Sequence, residues 1–160
     1  QVIREQQIAS ADFNALAMHE WEPLQKRIIE TFCDFPLSYK YTPTWLWEHF
    51  KVETNGLSGL SNWVEYAPQY IDELIGPEER VWFFVNDREA KFWYYEGVYR
   101  AVKVIIDESY WDEFYIASKK YDWLISMTHS DILVATGSEM VAKMEQVKER
   151  IDPILKKSNK

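Results

Sequence analysis

Apolar residues recur at helical spacing through the first third of the chain and at shorter, strand-like spacing in much of the remainder. Ser10 is placed to cap a short helix carrying Phe13, Leu16 and Ala17, and Pro23 to open a second with Leu24, Ile28, Ile29 and Phe32 on one face. Pro36 and Pro43 predict a loop, followed by a short helical or extended piece around Trp45, Trp47 and Phe50. Asn55-Gly56 and Gly59 predict a flexible break. Asn62, with Glu65 three places on, resembles a capping box for a helix that carries Tyr66, Ala67, Tyr70, Ile71, Leu74 and Ile75, kinked or restarted at Pro68 and stopped by Gly76-Pro77.

Beyond Arg80 the period changes. Val81 to Val85 and Lys91 to Glu96 are rich in aromatic and β-branched residues and predict an antiparallel pair joined at Asn86 to Glu89. Val98, Ala101, Val102, Ile105 and Ile106 return to helical spacing. Three further strands are expected at Glu113 to Ser118, Tyr121 to Met127 and Ile132 to Thr136, with turns at Lys119-Lys120 and His129-Ser130-Asp131. Ser138 then caps a final helix with Val141, Met144, Val147, Lys148 and Ile151 in register, ahead of a basic, frayed tail. The fold class predicted is α+β: N-terminal helices, then ββαβββα, with a mainly antiparallel sheet of about five strands and the helices on one face.

Composition narrows the function classes. The 160 residues fit a single domain spanning 1–160, and 47% hydrophobic with 16% aromatic residues is enough to build a core rather than a disordered chain. The formal net charge of -8 disfavours phosphate backbones and anionic headgroups, so neither nucleic acid nor membrane is an expected partner. A lone cysteine, Cys33, excludes an intramolecular disulfide and points to a reducing, cytoplasmic compartment. The apolar runs are only a few residues long, and the first residues lack the apolar region of a signal peptide. The absence of a starting Met suggests that part of the natural N-terminus is missing.

Few motifs point to catalysis. His19-Glu20 supplies only the first half of a zincin helix, with Pro23 where the second His belongs. Gly56-Leu57-Ser58-Gly59-Leu60 lacks the second glycine and the preceding strand of a nucleophile elbow. His129, Ser130 and Asp131 are consecutive in a turn and poorly placed to form a relay, so a hydrogen-bonding turn role is the simpler reading of His129. No ligand spacing supports a metal, and no phosphate-binding glycine loop is present, so no cofactor is expected.

Charge placement says more. Residues 52–79 contain six acids and no Lys or Arg, and residues 104–118 contain Asp107, Glu108, Asp112 and Glu113, again without a base. Together these stretches carry -10 against -8 for the whole chain, leaving the rest at +2. In the second stretch Trp111 stands among the acids, a rigid anchor inside a field that attracts cations. The candidate partner-binding residues are therefore Asp107, Glu108, Trp111, Asp112 and Glu113, together with Glu65, Asp72 and Glu73. The competing reading is a solvated helix end whose aromatics fold back into the core.

The segments Lys91-Phe92-Trp93-Tyr94-Tyr95-Glu96-Gly97, Glu113 to Leu124 and His129-Ser130-Asp131-Ile132-Leu133 resemble small acidic bacterial immunity proteins of toxin systems, including the contact-dependent growth inhibition type and the SUKH superfamily. The resemblance covers roughly residues 80 to 145 and has no counterpart in the first 75. Where those relatives carry a cysteine and a second histidine around the turn, this chain has Ser126 and Ser130, which weighs against thiol or metal chemistry there. The resemblance implies a cytoplasmic antitoxin, not an enzyme, that binds and neutralises a cognate toxin domain, often a basic nuclease. The alternative is a small hydrolase or ligand-binding enzyme with a site near His129. Oligomeric state is not legible from these residues.

Overall fold

The computed structural model describes residues 2–35, 43–57, 63–86, 91–109 and 111–158; the side chains of 63–66, 151–152 and 154–158 lie outside the description. Among the described residues five α-helices, α1 (Val2–Glu5), α2 (Met18–Phe32), α3 (Trp63–Leu74), α4 (Tyr99–Asp107) and α5 (Ser138–Ser158), accompany seven strands. These are β1 (Phe13–Ala15), β2 (Thr54–Leu57), β3 (Arg80–Asn86), β4 (Phe92–Val98), β5 (Phe114–Ser118), β6 (Leu124–Met127) and β7 (Leu133–Thr136). All seven form one antiparallel sheet in the order β1-β4-β3-β5-β6-β7-β2.

The centre of the sheet follows the hydrophobic pattern. β3 pairs β4 from Arg80↔Val98 to Asn86↔Phe92, and β5, β6 and β7 form a meander on the other side of β3. Tight turns join the meander, with Tyr121 at φ 60 and Asp131 at φ 57 taking the left-handed conformation that reverses the chain. The α+β class and the helix–strand order after residue 80 stand as expected.

Several expectations are corrected. The sheet has seven strands rather than about five, because both edge strands come from the N-terminal part. Phe13–Ala15, expected on a helix, pairs with β4, and the residues of the expected Asn55-Gly56 break form β2 beside β7. Three or four residues are too short for a period to separate strand from helix, so the pairing partner decides. The second helix starts at Met18, not Pro23, and the Ala17 N–H is received by the Glu20 carboxylate at 2.8 Å.

The helices also lie on both faces, not one. On β3, Phe83 belongs to a cluster with Ile71, Leu74, Val102, Ile105, Met140 and Met144, contributed by α3, α4 and α5. The next residue, Phe84, points the other way into a cluster with Leu24, Ile28, Ile29 and Phe32 of α2. Every residue of β5 is buried, so the sheet is apolar on both sides and must be covered on both. The unbroken run Val81 to Val85 was the sequence signal for this arrangement.

α3 continues through Pro68 without restarting, and α5 runs past the expected fraying point to Ser158. The Asn62 cap, the Ser58 and Gly59 part of the elbow-like motif and the Asp87 to Glu89 connection fall outside the described residues. Among the described residues no helix is long and apolar enough to cross a membrane.

Candidate functional site

Two cavities meet at the end of β5. The larger, about 810 Å³, lies between α3, α4 and the β6–β7 turn, and its described lining includes Asp107, Glu108, Trp111, Asp112, Lys103 and Asp131. The smaller, about 230 Å³, opens beside the 3₁₀ turn Leu46–His49 and is lined by Thr44, Trp45, Asn86, Asp112, Glu113 and His129. Asp112 and His129 border both.

Strand alternation separates the neighbouring acids. Phe114 and Ile116 face the α3–α4–α5 layer, while Tyr115 faces the α2 layer and stacks on Phe84 at 4.9 Å and 3°. Glu113, at the entry to β5, shares the side of Tyr115 and is only 2% exposed. Its carboxylate accepts the Trp47 Nε1–H at 3.1 Å and the Tyr115 hydroxyl, and Oε2 lies 3.3 Å from His129 Nδ1. The Tyr115 oxygen in turn accepts the Leu46 N–H at 3.0 Å, which commits its own hydrogen to Glu113. The 3₁₀ turn, the start of β5 and the β6–β7 turn are thereby tied together at one carboxylate.

Burial raises the Glu113 carboxyl above its ordinary value, partly opposed by the Tyr115, His129 and Trp47 hydrogen bonds. Burial and the neighbouring Glu113 raise the Tyr115 phenol, which stays protonated as the donor. His129 is held by the turn itself: Thr128 Oγ1 accepts the N–H groups of Ser130 at 3.3 Å and Ile132 at 3.1 Å. Its ring lies 4.5 Å from Trp45 and 5.9 Å from Trp47, centroid to centroid.

The residues singled out from the sequence fall into three groups. Asp107, Glu108, Trp111 and Asp112 come together in the larger cavity. Trp111 is half-buried, its ring 6.0 Å from Phe83 at 77° and its indole N–H 3.4 Å from the Ile105 carbonyl, so it is both core satellite and cavity wall. Asp72 and Glu73 are paired on the flank: Asp72 with Lys103 at 3.0 Å and the Tyr99 hydroxyl at 2.9 Å, Glu73 with Arg150 at 2.7 Å. The Arg150 guanidinium holds the Glu73 carboxyl below its usual range. Lys103 also reaches Asp107 at 3.4 Å, whereas Glu108 is exposed and pairs with no cation among the described residues. Glu113 faces the smaller pocket, and the side chain of Glu65 lies outside the described residues.

With this geometry in place, comparison with known proteins adds one result. A family model described as a family of unknown function (DUF6756) matches residues 1–148. The chain belongs to this family. No curated protein and no solved structure matches the chain. The family match spans the helical N-terminal part as well as the sheet, so the elements that contribute Trp45, Trp47, Glu113 and His129 all lie inside it.

Sequence reasoning missed Trp45, Trp47, Tyr115 and Asn86 as companions of His129. Trp47 and Glu113 are separated by 66 residues and Asn86 reaches the Thr44 carbonyl across 42, so nothing local links them. The available signal was an acid at the entry to the largely apolar run Phe114 to Ala117, where a carboxylate has to find most of its donors elsewhere.

Proposed function

We propose that the chain is a stoichiometric, non-enzymatic binding protein of the toxin-immunity class, acting in the cytoplasm on a cognate toxin domain with a basic surface. The observation that carries this reading is the larger cavity: among its described lining, Asp107, Glu108, Asp112 and Asp131 stand against the one ammonium of Lys103, with Trp111 in its wall. A concave site with such an excess of carboxylates favours cations and rejects phosphate, and a half-buried indole supplies apolar contact at little entropic cost. Asp72 and Glu73, already neutralised by Lys103 and Arg150, serve as supports of this wall rather than as contacts. The resemblance of the C-terminal half to immunity proteins supports the same class.

The test is association with the protein encoded by the adjacent gene. Complex formation is expected, with an association rate that falls about tenfold or more between low and high salt. No complex, or a rate indifferent to ionic strength, overturns the reading.

A second reading, a small hydrolase or ligand-binding enzyme, is favoured by the 3.3 Å approach of Glu113 Oε2 to His129 Nδ1. A carboxylate on Nδ1 leaves Nε2 available as a base, the arrangement used for water or hydroxyl activation. Turnover of a p-nitrophenyl ester that rises with pH and is lost in His129→Ala would support it. Hydrolysis no faster than buffer would remove it.

A further inference from the structure

The smaller pocket combines three features. Its floor is Glu113, 2% exposed, whose two oxygens are approached by a hydroxyl, an indole N–H and an imidazole nitrogen. Trp47 can only donate, and Tyr115 is committed as a donor by the Leu46 N–H, so both oxygens act as acceptors. Each oxygen thus accepts one hydrogen bond, and Oε2 also faces the His129 imidazole. Among the described residues no lysine or arginine pairs with Glu113; its partners there are the Tyr115 hydroxyl, the Trp47 indole N–H and the His129 imidazole.

The wall of the pocket is Trp45, a large aromatic that remains 41% exposed while its ring rests against His129. Asp112 adds a second carboxylate at the rim, where the pocket meets the larger cavity. A buried carboxyl group that no lysine or arginine pairs among the described residues, beneath an exposed indole, is complementary to a cation carried on an apolar stem: the head gains the carboxylate and the stem gains the ring. About 230 Å³ admits one such side chain and little more.

We propose that the Trp45–Asp112–Glu113 pocket is a site for an organic cation, an alkylammonium or guanidinium group. This rests on the reading of the neighbouring acidic cavity as a docking face, in which case the cation is a lysine or arginine side chain of the basic partner. His129 borders both cavities and lies 3.3 Å from Glu113 Oε2, so it positions the carboxyl group at the pocket.

The experiment uses the full chain, isotopically labelled, and titrates ethylguanidinium chloride and n-butylammonium chloride at constant ionic strength, with sodium chloride and n-butanol as controls. The cations are expected to move the Trp45 indole and His129 ring resonances saturably in the millimolar range, with n-butanol about tenfold weaker. Trp45→Leu and the milder Asp112→Asn, both checked for retained melting temperature, are each expected to lower cation affinity about fivefold or more. Absent saturation, equal shifts in sodium chloride, or n-butanol binding as well as the cations overturns the pocket. If the adjacent-gene product binds in a salt-dependent way while the small cations leave Trp45 unmoved, the pocket fails and the docking face survives. If the small cations bind at Trp45 and no basic partner associates, the pocket stands as a free-amine site and the docking face fails.

Discussion

Glu113 is the residue on which most of the site geometry converges, and its substitution is the sharpest test of that geometry. Glu113→Gln preserves shape but puts an amide N–H donor where a carboxylate oxygen accepts from Trp47 or Tyr115, so a loss of about 1–3 kcal/mol of unfolding free energy is expected by denaturant titration. The sign of its pH dependence follows from the raised carboxyl: the folded chain keeps a proton that the unfolded chain, titrating near the ordinary 4.5, has already released. The stabilisation is complete below that value and is lost as pH rises through the folded one. The melting-temperature deficit of Glu113→Gln should therefore shrink from acid to neutral pH, and a widening deficit would contradict the assignment. Cys33 makes the opposite kind of statement. Burial pushes its thiol up to about 12, so it stays protonated, and iodoacetamide at mildly alkaline pH should label it only after unfolding.

Among the elements, the β7–α5 junction is the most constrained. Gly137 has φ +95, and a Cβ there would overlap the Asp122 carbonyl oxygen. Gly137→Ala thus faces both a disfavoured backbone and a backbone clash, and a loss of about 3 kcal/mol or more is expected in urea unfolding; a near-neutral result would mean that the junction is looser than its geometry indicates. Elements whose apolar runs are bounded by turn signals were legible: the β3–β4 hairpin, α4, the β5–β6–β7 meander and the buried stripe of α5 through Met140, Met144 and Val147 all follow from period and turn chemistry. β1 and β2 were not, since Phe13–Ala15 and Thr54–Leu57 carry too few apolar positions to show a period and exist as strands because β4 and β7 offer them free edges.

For the molecule as a whole, the acidic cavity predicts how charge reversal acts. Asp107→Lys with Glu108→Lys removes exposed or half-paired carboxylates, so the basic partner should associate about tenfold more slowly at low salt while unfolding changes by about 1 kcal/mol or less. Glu113→Lys would instead bury a mismatched charge and cost about 3–5 kcal/mol, so it cannot report on docking. The linear order of residues was sufficient for the net charge, for its concentration in two stretches and for most of the element order, because these depend on composition and on neighbours within a few positions. Which acids face one cavity, which are cancelled by Lys103 or Arg150, and which one is buried at the smaller pocket beside Trp45 depended on folding. Hydrogen bonds and ion pairs act over a few ångströms, and only the packed sheet brings Trp47, Glu113 and His129 within that reach.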